Sequence, residues 1–378
     1  MAIRQVGFQP RRLTQARALR GIGTMQELAS LTDLSKQMIS RYESGKSIPP
    51  EDKVRLIASR LNLELRFFFI PIQVCSDSPA MFRSVRDPLR QAIKRSQSLL
   101  EIAEESLSLV EEYVELPKYT LPRLNPSGGI QSLTVEMIEN AAVTTRELLG
   151  FASGPLPNLV TLAERAGIVV VRTFLAEREL DGLSRWREPH PIVILNDSKT
   201  PARSRFDLAH EIGHLVLHSY VPRDYLQVKS LFRLLEEQAH TFASALLLPR
   251  DEFRNDVWTG TLDEFQSLKP RWQTSIQAMV RRSKDLGIIS DEEYRRLFTR
   301  IGARGWRFKE PLEDAIPDEI PTVLRTGIEI VYDEVPGGDA LISAQLPFGN
   351  LLEEVSSGEL SWISGAKPSN IIHLKDFV

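Results

Sequence analysis

Cysteine is nearly absent from this chain of 378 residues, where Cys75 stands alone. One thiol excludes an intrachain disulfide and fits a reducing cytoplasm. Its place in a linker makes it incidental rather than catalytic. No run of about 18 apolar residues occurs, so no membrane-spanning helix is expected. The N-terminus is rich in arginine and lacks an apolar stretch, so no secretory signal is expected. Net charge is also slight, at −3, but it is unevenly spread. Residues 1–72 hold twelve Lys/Arg against six Asp/Glu, which leaves the rest acidic. Such segregation points to a nucleic-acid-binding module joined to something else. The length allows two or three domains.

Within the basic segment, residues 13–19 read as a first helix. Thr24 is a good N-cap with Glu27 as its capping-box partner, and Leu28 and Ala29 face inward. After a short break at 30–34, Ser35 caps a helix that runs to Tyr42 and stops at Gly45. Pro49 and Pro50 open another, with Val54, Leu56, Ile57 and Leu61 at helical spacing. Two short helices joined by a tight turn form a helix-turn-helix. Its second helix carries Lys36, Gln37, Ser40 and Arg41 and would lie in the major groove of a double-stranded DNA operator. Gln37 suits adenine, and Lys36 or Arg41 suits guanine or phosphate. Gln26 and Ser35, at the heads of the two helices, complete the candidate contacts. The plainer alternative is a small helical bundle with a solvated basic face.

The most informative stretch is Phe206-Asp-Leu-Ala-His-Glu-Ile-Gly-His-Leu-Val-Leu-His218. His210 and His214 lie one turn apart on one helix face, so both imidazoles can reach a single metal. Zinc favours a tetrahedron of such nitrogens. Glu211 points to the same open face, where it can take a proton from a water activated by the metal. An ordinary buried helix with satisfied histidines is the alternative. Against it stand the apolar frame and the clustering of four of the six histidines between 210 and 240. The third ligand should come from the amphipathic stretch 234–248. There Glu236 shares a face with Ala239, Phe242, Ala243 and Leu246, where an unpaired carboxylate would be costly. Glu237 points elsewhere. His240, one turn beyond Glu236, is a hydrogen-bond partner behind the ligands or a ligand itself. Peptide hydrolysis also needs an oxyanion donor. His190, His218, Tyr220 and Tyr225 are candidates, and 219–233 is a candidate substrate-edge loop.

Around these motifs, 89–115 reads as one long helix, a spacer or a dimer contact. Its residues Glu101, Glu104, Glu105, Glu111 and Glu112 are expected to form a solvated face. Helices at 135–149 and 159–166 precede strands at 168–172, 180–186 and 191–196. Beyond Pro317 and Pro321, 328–332 and 340–343 look like strands around Gly337 and Gly338. That segment is either a small sensory domain or a packing extension.

The pattern Gln26-Glu-Leu-Ala, Leu34-Ser, Ile39-Ser-Arg-Tyr-Glu-Ser-Gly-Lys46, Pro49 and Leu56-Ile-Ala58 resembles the lambda-repressor-like XRE family over residues 9–70. Asp33 stands where that family usually has glycine, and Asp tolerates the left-handed conformation better than most residues. Residues 203–218, then Glu236-x-x-Ala-x-x-Phe-Ala and the downstream stretch to Glu310-Pro311, resemble the ImmA/IrrE metallopeptidases over roughly 130–311. His240 stands where that family commonly has Asn or Asp. Together they resemble the fused XRE-plus-peptidase regulators of bacteria and their mobile elements. The resemblance implies one Zn2+ held by His210, His214 and Glu236, with Glu211 as base.

The expected fold is mainly α with a small β-sheet (α+β). It comprises a helix-turn-helix bundle at 1–72, a helical connector at 73–129, a zincin-like metallopeptidase domain at 130–311 and a small C-terminal α/β extension at 312–378. The expected function is a cytoplasmic DNA-binding regulator that cleaves a partner repressor to control stress or mobile-element genes. A homodimer would match two half-sites. The alternative is a DNA-binding regulator or antitoxin whose metal domain is a non-catalytic sensor or interaction module.

Overall fold

A computed structural model describes residues 7–73, 80–82, 90–175 and 180–360. Cys75 lies outside the described residues. Helices dominate, as the apolar spacing implies. The N-terminal bundle comprises α1 (Pro10–Leu19), α2 (Met25–Thr32), α3 (Lys36–Glu43) and α4 (Glu51–Leu61). Their local signals hold: Thr24 accepts from Glu27 N, and Ser35 accepts from Met38 N. Glu27 reaches back to Gly23 N at 2.9 Å rather than to the cap residue. Asp33 does adopt the left-handed conformation, at φ 52°. Leu13, Ala16, Leu28, Ile39 and Ile57 close the bundle core.

A short strand, β1 (Ala80–Phe82), precedes the long helix α5 (Arg90–Tyr113). Then come α6 (Val135–Leu148), α7 (Leu159–Arg165), and the strands β2 (Val169–Thr173), β3 (Gly182–Arg185) and β4 (Ile192–Asn196). The sheet order is β1-β3-β4-β2, with only β2 and β4 parallel. Sequence patterning gave no sign of β1. Side chains alternate across a strand, and here both faces are covered. Val169, Val171, Ile192 and Ile194 join one core with the N-terminal bundle and α5. Val170, Val193 and Leu195 join the other, with the helices that follow. Two-sided burial explains why these strands read as continuous apolar runs.

The second core is built on α8 (Pro201–Leu217) and α9 (Lys229–Leu247). It is extended by α10 (Arg250–Asp256), α11 (Leu262–Trp272), α12 (Ile276–Asp285) and α13 (Asp291–Ala303). The C-terminal segment differs from expectation. In place of strands at 328–332 and 340–343 it forms α14 (Val323–Glu334), α15 (Gly338–Gln345) and α16 (Asn350–Ser356). Ile328, Ile330 and Val331 suggested a strand, but Leu324 and Ile328, with Val323, Gly327 and Val331, are buried at helical spacing. Gly327 seats α14 flush on α5, since a Cβ there would lie 2.5 Å from Val110 Cγ1. The segment packs into the first core, where Phe348 meets Phe67 at 6.0 Å.

Helix α5 is likewise no spacer. Its 24 residues span about 36 Å through the first core, and its acidic face is not solvated. Glu105 is 5% exposed and pairs with Arg12 of α1 at 2.5 Å. Glu104 pairs with Arg185 of β3 at 2.8 Å, and Glu111 with Arg187 at 2.6 Å. Glu101 meets Arg11 at 2.6 Å, and only Glu112 of the five is exposed. Burial pushes the Glu105 carboxyl up to about 7, against the pull of Arg12.

Breaking one side of a buried pair strands the other. Arg12→Met is therefore expected to lower unfolding stability by about 3 kcal/mol. The double variant Arg12→Met/Glu105→Leu should recover most of that loss. Chemical denaturation of both variants checks it, and equal losses would contradict the pairing.

Candidate metal centre

Thr200 and Pro201 start α8 directly after β4, so the helix runs beneath the sheet. Residues 204–217 are all buried, including His210 at 2% and His214 at 3% exposure. Helix α9 lies against α8 at Gly213. A Cβ on Gly213 would sit 3.1 Å from Phe242 Cδ1 and 3.2 Å from the Ala239 carbonyl oxygen. That proximity carries Glu236 to the histidines. Its Oε1 lies 3.3 Å from His214 Nε2 and its Oε2 lies 3.6 Å from His210 Nε2. The two Nε2 atoms are 3.1 Å apart. In a zinc tetrahedron with bonds of about 2.05 Å, ligand atoms stand about 3.3 Å from one another. The three donors therefore fit zinc in both kind and spacing.

A hydrogen-bond chain fixes the tautomer of His214. The Ile130 carbonyl can only accept, so Gln238 donates to it through Nε2 at 2.7 Å. Gln238 Oε1 then faces His218 Nε2 at 3.0 Å and must receive its N–H. Burial pushes the His218 pKa well below its usual value, so the ring is neutral and its Nδ1 is a lone pair. That lone pair lies 2.9 Å from His214 Nδ1, which must carry the proton. His214 Nε2 is left with its lone pair directed at Glu236 and His210, as a metal ligand requires. Gln238 had no signal in the sequence beyond its place on α9.

Glu211 is buried at 2% exposure, and its Oε2 makes no hydrogen bond to the protein. The Ser184 hydroxyl of β3 faces the carboxyl. Gly182 lets β3 lie close to β4, because a Cβ there would sit 2.9 Å from the Ile194 carbonyl oxygen, and Glu211 Cγ is at contact distance from that position, 3.5 Å. Burial raises the Glu211 carboxyl to about 7, opposed by His214 and Ser184. Glu236 shows the reverse balance. Burial pushes it up, but the adjacent imidazoles of His210 and His214 hold it well below the usual carboxylate range.

The remaining candidates separate. His218 has both ring nitrogens engaged, so it has no N–H for a substrate oxygen and stands behind His214 instead. His240 stacks on Phe206 at 4.8 Å and lies 6.4 Å from the His210 ring. His190 Nδ1 is 2.6 Å from Glu111 on α5. Tyr220 is half-exposed, with the Arg123 guanidinium 4.5 Å over its ring. Tyr225 packs in a small cluster with Ile130 and Leu235. At the other end of the chain, Gln26, Ser35, Lys36, Gln37, Ser40 and Arg41 are all exposed on α2 and α3, while Ile39 and Tyr42 face the core.

Residues 163–284 match the family described as IrrE N-terminal-like domain, and residues 13–68 match the one described as Helix-turn-helix. The first match begins within α7, ends within α12 and contains His210, Glu211, His214 and Glu236. A comparison with curated proteins gave no match. The chain joins an XRE-type helix-turn-helix domain to an IrrE/ImmA-like peptidase-family domain.

Residues behind a metal-ligating histidine typically contribute about 10–100-fold in metal affinity. Gln238→Ala should weaken zinc binding by that order, read by competition with a chromophoric chelator. Unchanged affinity would remove the tautomer chain from the account.

Proposed function

We propose that this chain is a DNA-binding transcriptional regulator whose peptidase-family domain is an active zinc metallopeptidase. In this reading it cleaves a partner repressor and thereby controls stress or mobile-element genes. The observation that carries it is the meeting of His210, His214 and Glu236 with ligand atoms all within 4.8 Å, beside the buried Glu211. Zinc held there supplies Lewis acidity, polarising a peptide carbonyl and lowering the pKa of a water. The chain's own residues supply the rest. Glu211 accepts a proton at its carboxylate and passes it to the departing amine. Ser184 and Gly182 of β3 lie against that carboxylate. Glu236 and the oriented His214 keep their lone pairs on the metal side. The exposed face of α3 reads the operator, with Gln37 and Arg41 as base contacts and Lys36 as a base or phosphate contact. A homodimer would set two such helices on two half-sites. Among the described residues no helix is long and apolar enough to cross a membrane, and the reading places the protein with DNA in the cytoplasm.

One observation favours a second reading. The N-terminal bundle and one face of the sheet above the metal helix share a single core. A sensor that never cleaves, and passes metal binding to the DNA-reading helix, would use the same arrangement.

Three variants separate the readings. Wild type and Glu211→Gln should each bind about one zinc, while His210→Ala should not, by metal analysis of the purified chain. Glu211→Gln should lower cleavage of a candidate repressor by roughly 10²–10⁴-fold while retaining operator binding. Gln37→Ala should weaken operator binding and leave cleavage unaffected. Regulation that persists in Glu211→Gln and fails in Gln37→Ala would select the sensor.

A further inference from the structure

A cavity of about 520 Å³ opens beside the metal centre. Arg203 and Phe206 line it from α8, two turns and one turn before His210. His240 and Ser244 line it from α9, one and two turns beyond Glu236. The two helices thus deliver both their metal ligands and this wall. One helical turn advances about 5.4 Å, and an extended peptide advances about 3.3–3.6 Å per residue. The cavity wall therefore begins between one and two residues, and ends about three residues, from a carbonyl placed at the ligands. The opposite wall is aromatic: Tyr294 and Phe298 of α13 stack at 4.6 Å, and Trp306 and Phe308 follow. Phe308 is 94% exposed.

The charges of the lining decide what fits. Lys199 is 2.6 Å from Asp181, which also holds Arg203 at 2.9 Å, and Arg203 reaches Asp207 at 3.1 Å. Arg281 is 3.2 Å from Asp285. Glu310 and Glu313 are both bound to the buried Lys269, at 3.0 and 2.7 Å. These charges are already matched within the protein, so apart from the solvent-exposed Arg307 an ionic occupant would have to break existing pairs. The rings of Phe206, Tyr294, Phe298, Trp306 and Phe308 remain as the principal uncharged surface. Arg307 has no carboxylate partner among the described residues, and its guanidinium suits the face of a further ring.

We propose that this cavity is the substrate side-chain subsite of the peptidase, and that it takes an uncharged aromatic side chain beside the scissile bond. The proposal rests on the peptidase reading above. Its test uses the zinc-loaded full chain and four probes: the hydroxamates of phenylalanine, leucine, alanine and glutamate, titrated by calorimetry. The hydroxamate group chelates zinc, and the side chain samples the cavity. Burying a phenyl ring should make the phenylalanine probe about ten- to a hundredfold tighter than the alanine probe, with glutamate no better than alanine. Phe298→Ala, a partly exposed position, should shrink that preference several-fold and leave the alanine probe unchanged. Ser244→Phe, which fills the cavity, should abolish it. Equal affinities for all four probes, or a preference for glutamate, would overturn the subsite while leaving the metal centre standing. A chain that takes up zinc but binds no hydroxamate, or takes up no zinc, would remove the peptidase reading and the subsite with it.

Discussion

The contact between α8 and α9 at Gly213 is the constraint on which the site depends. Two helices with ordinary side chains pack with axes about 8–10 Å apart. A glycine facing the backbone of the partner brings them to the lower end of that range. Here Ala239 and Phe242 sit where a Cβ on residue 213 would crowd them. Small residues on α9 serve the same end, since Ala239 and Ala243 are fully buried. This close approach lets the Glu236 side chain meet two histidines of the neighbouring helix at 3.3 and 3.6 Å. Glycine between the two histidines is thus a packing requirement of the helix pair.

Burying so many ionisable groups is tolerable because most of them meet a specific partner. Three carboxylates pushed up by burial, Glu105, Glu164 and Glu211, reach about 7. Glu164 of α7 accepts from the backbone N–H groups of Thr322 and Val323, and so caps the start of α14. Reciprocally, Glu319 accepts from Leu159 N and Val160 N at the start of α7, and pairs with the buried Arg205 of α8. Two carboxylates, each capping a helix of the other segment, stitch the C-terminal extension to the metal domain. The extension packs as a structural part of both, through α14 and α16 on one side and Glu319 on the other.

Features set by local chemistry were legible in the sequence. The N-caps Thr24 and Ser35, the left-handed Asp33, the α8 motif and the inward face of α9 each depend on residues within a few positions of one another. Features that depend on distant partners were not. Glu104 and Glu105 read as solvent-facing because nothing near them in sequence is cationic, yet Arg185 and Arg12 lie 81 and 93 residues away. Gln238 matters through a carbonyl 108 residues distant. The segment 328–332 misled because its β-branched residues fit period two, while the faces of α5 select period 3.6. β1 is three residues long and carries no alternation to read.

Residues 104 and 105 are adjacent on α5, about 100° apart around its axis, and that angle decides what the helix joins. Glu105 turns to Arg12 in the DNA-reading bundle, and Glu104 turns to Arg185 at the end of β3. The residue before Arg185 is Ser184, whose hydroxyl faces Glu211. One helix therefore holds the helix-turn-helix bundle on one side and the strand above the candidate site on the other. The interior between them is close-packed, so it does not deform continuously. Turning the bundle relative to the sheet would therefore either carry β3 with it or break a buried ion pair.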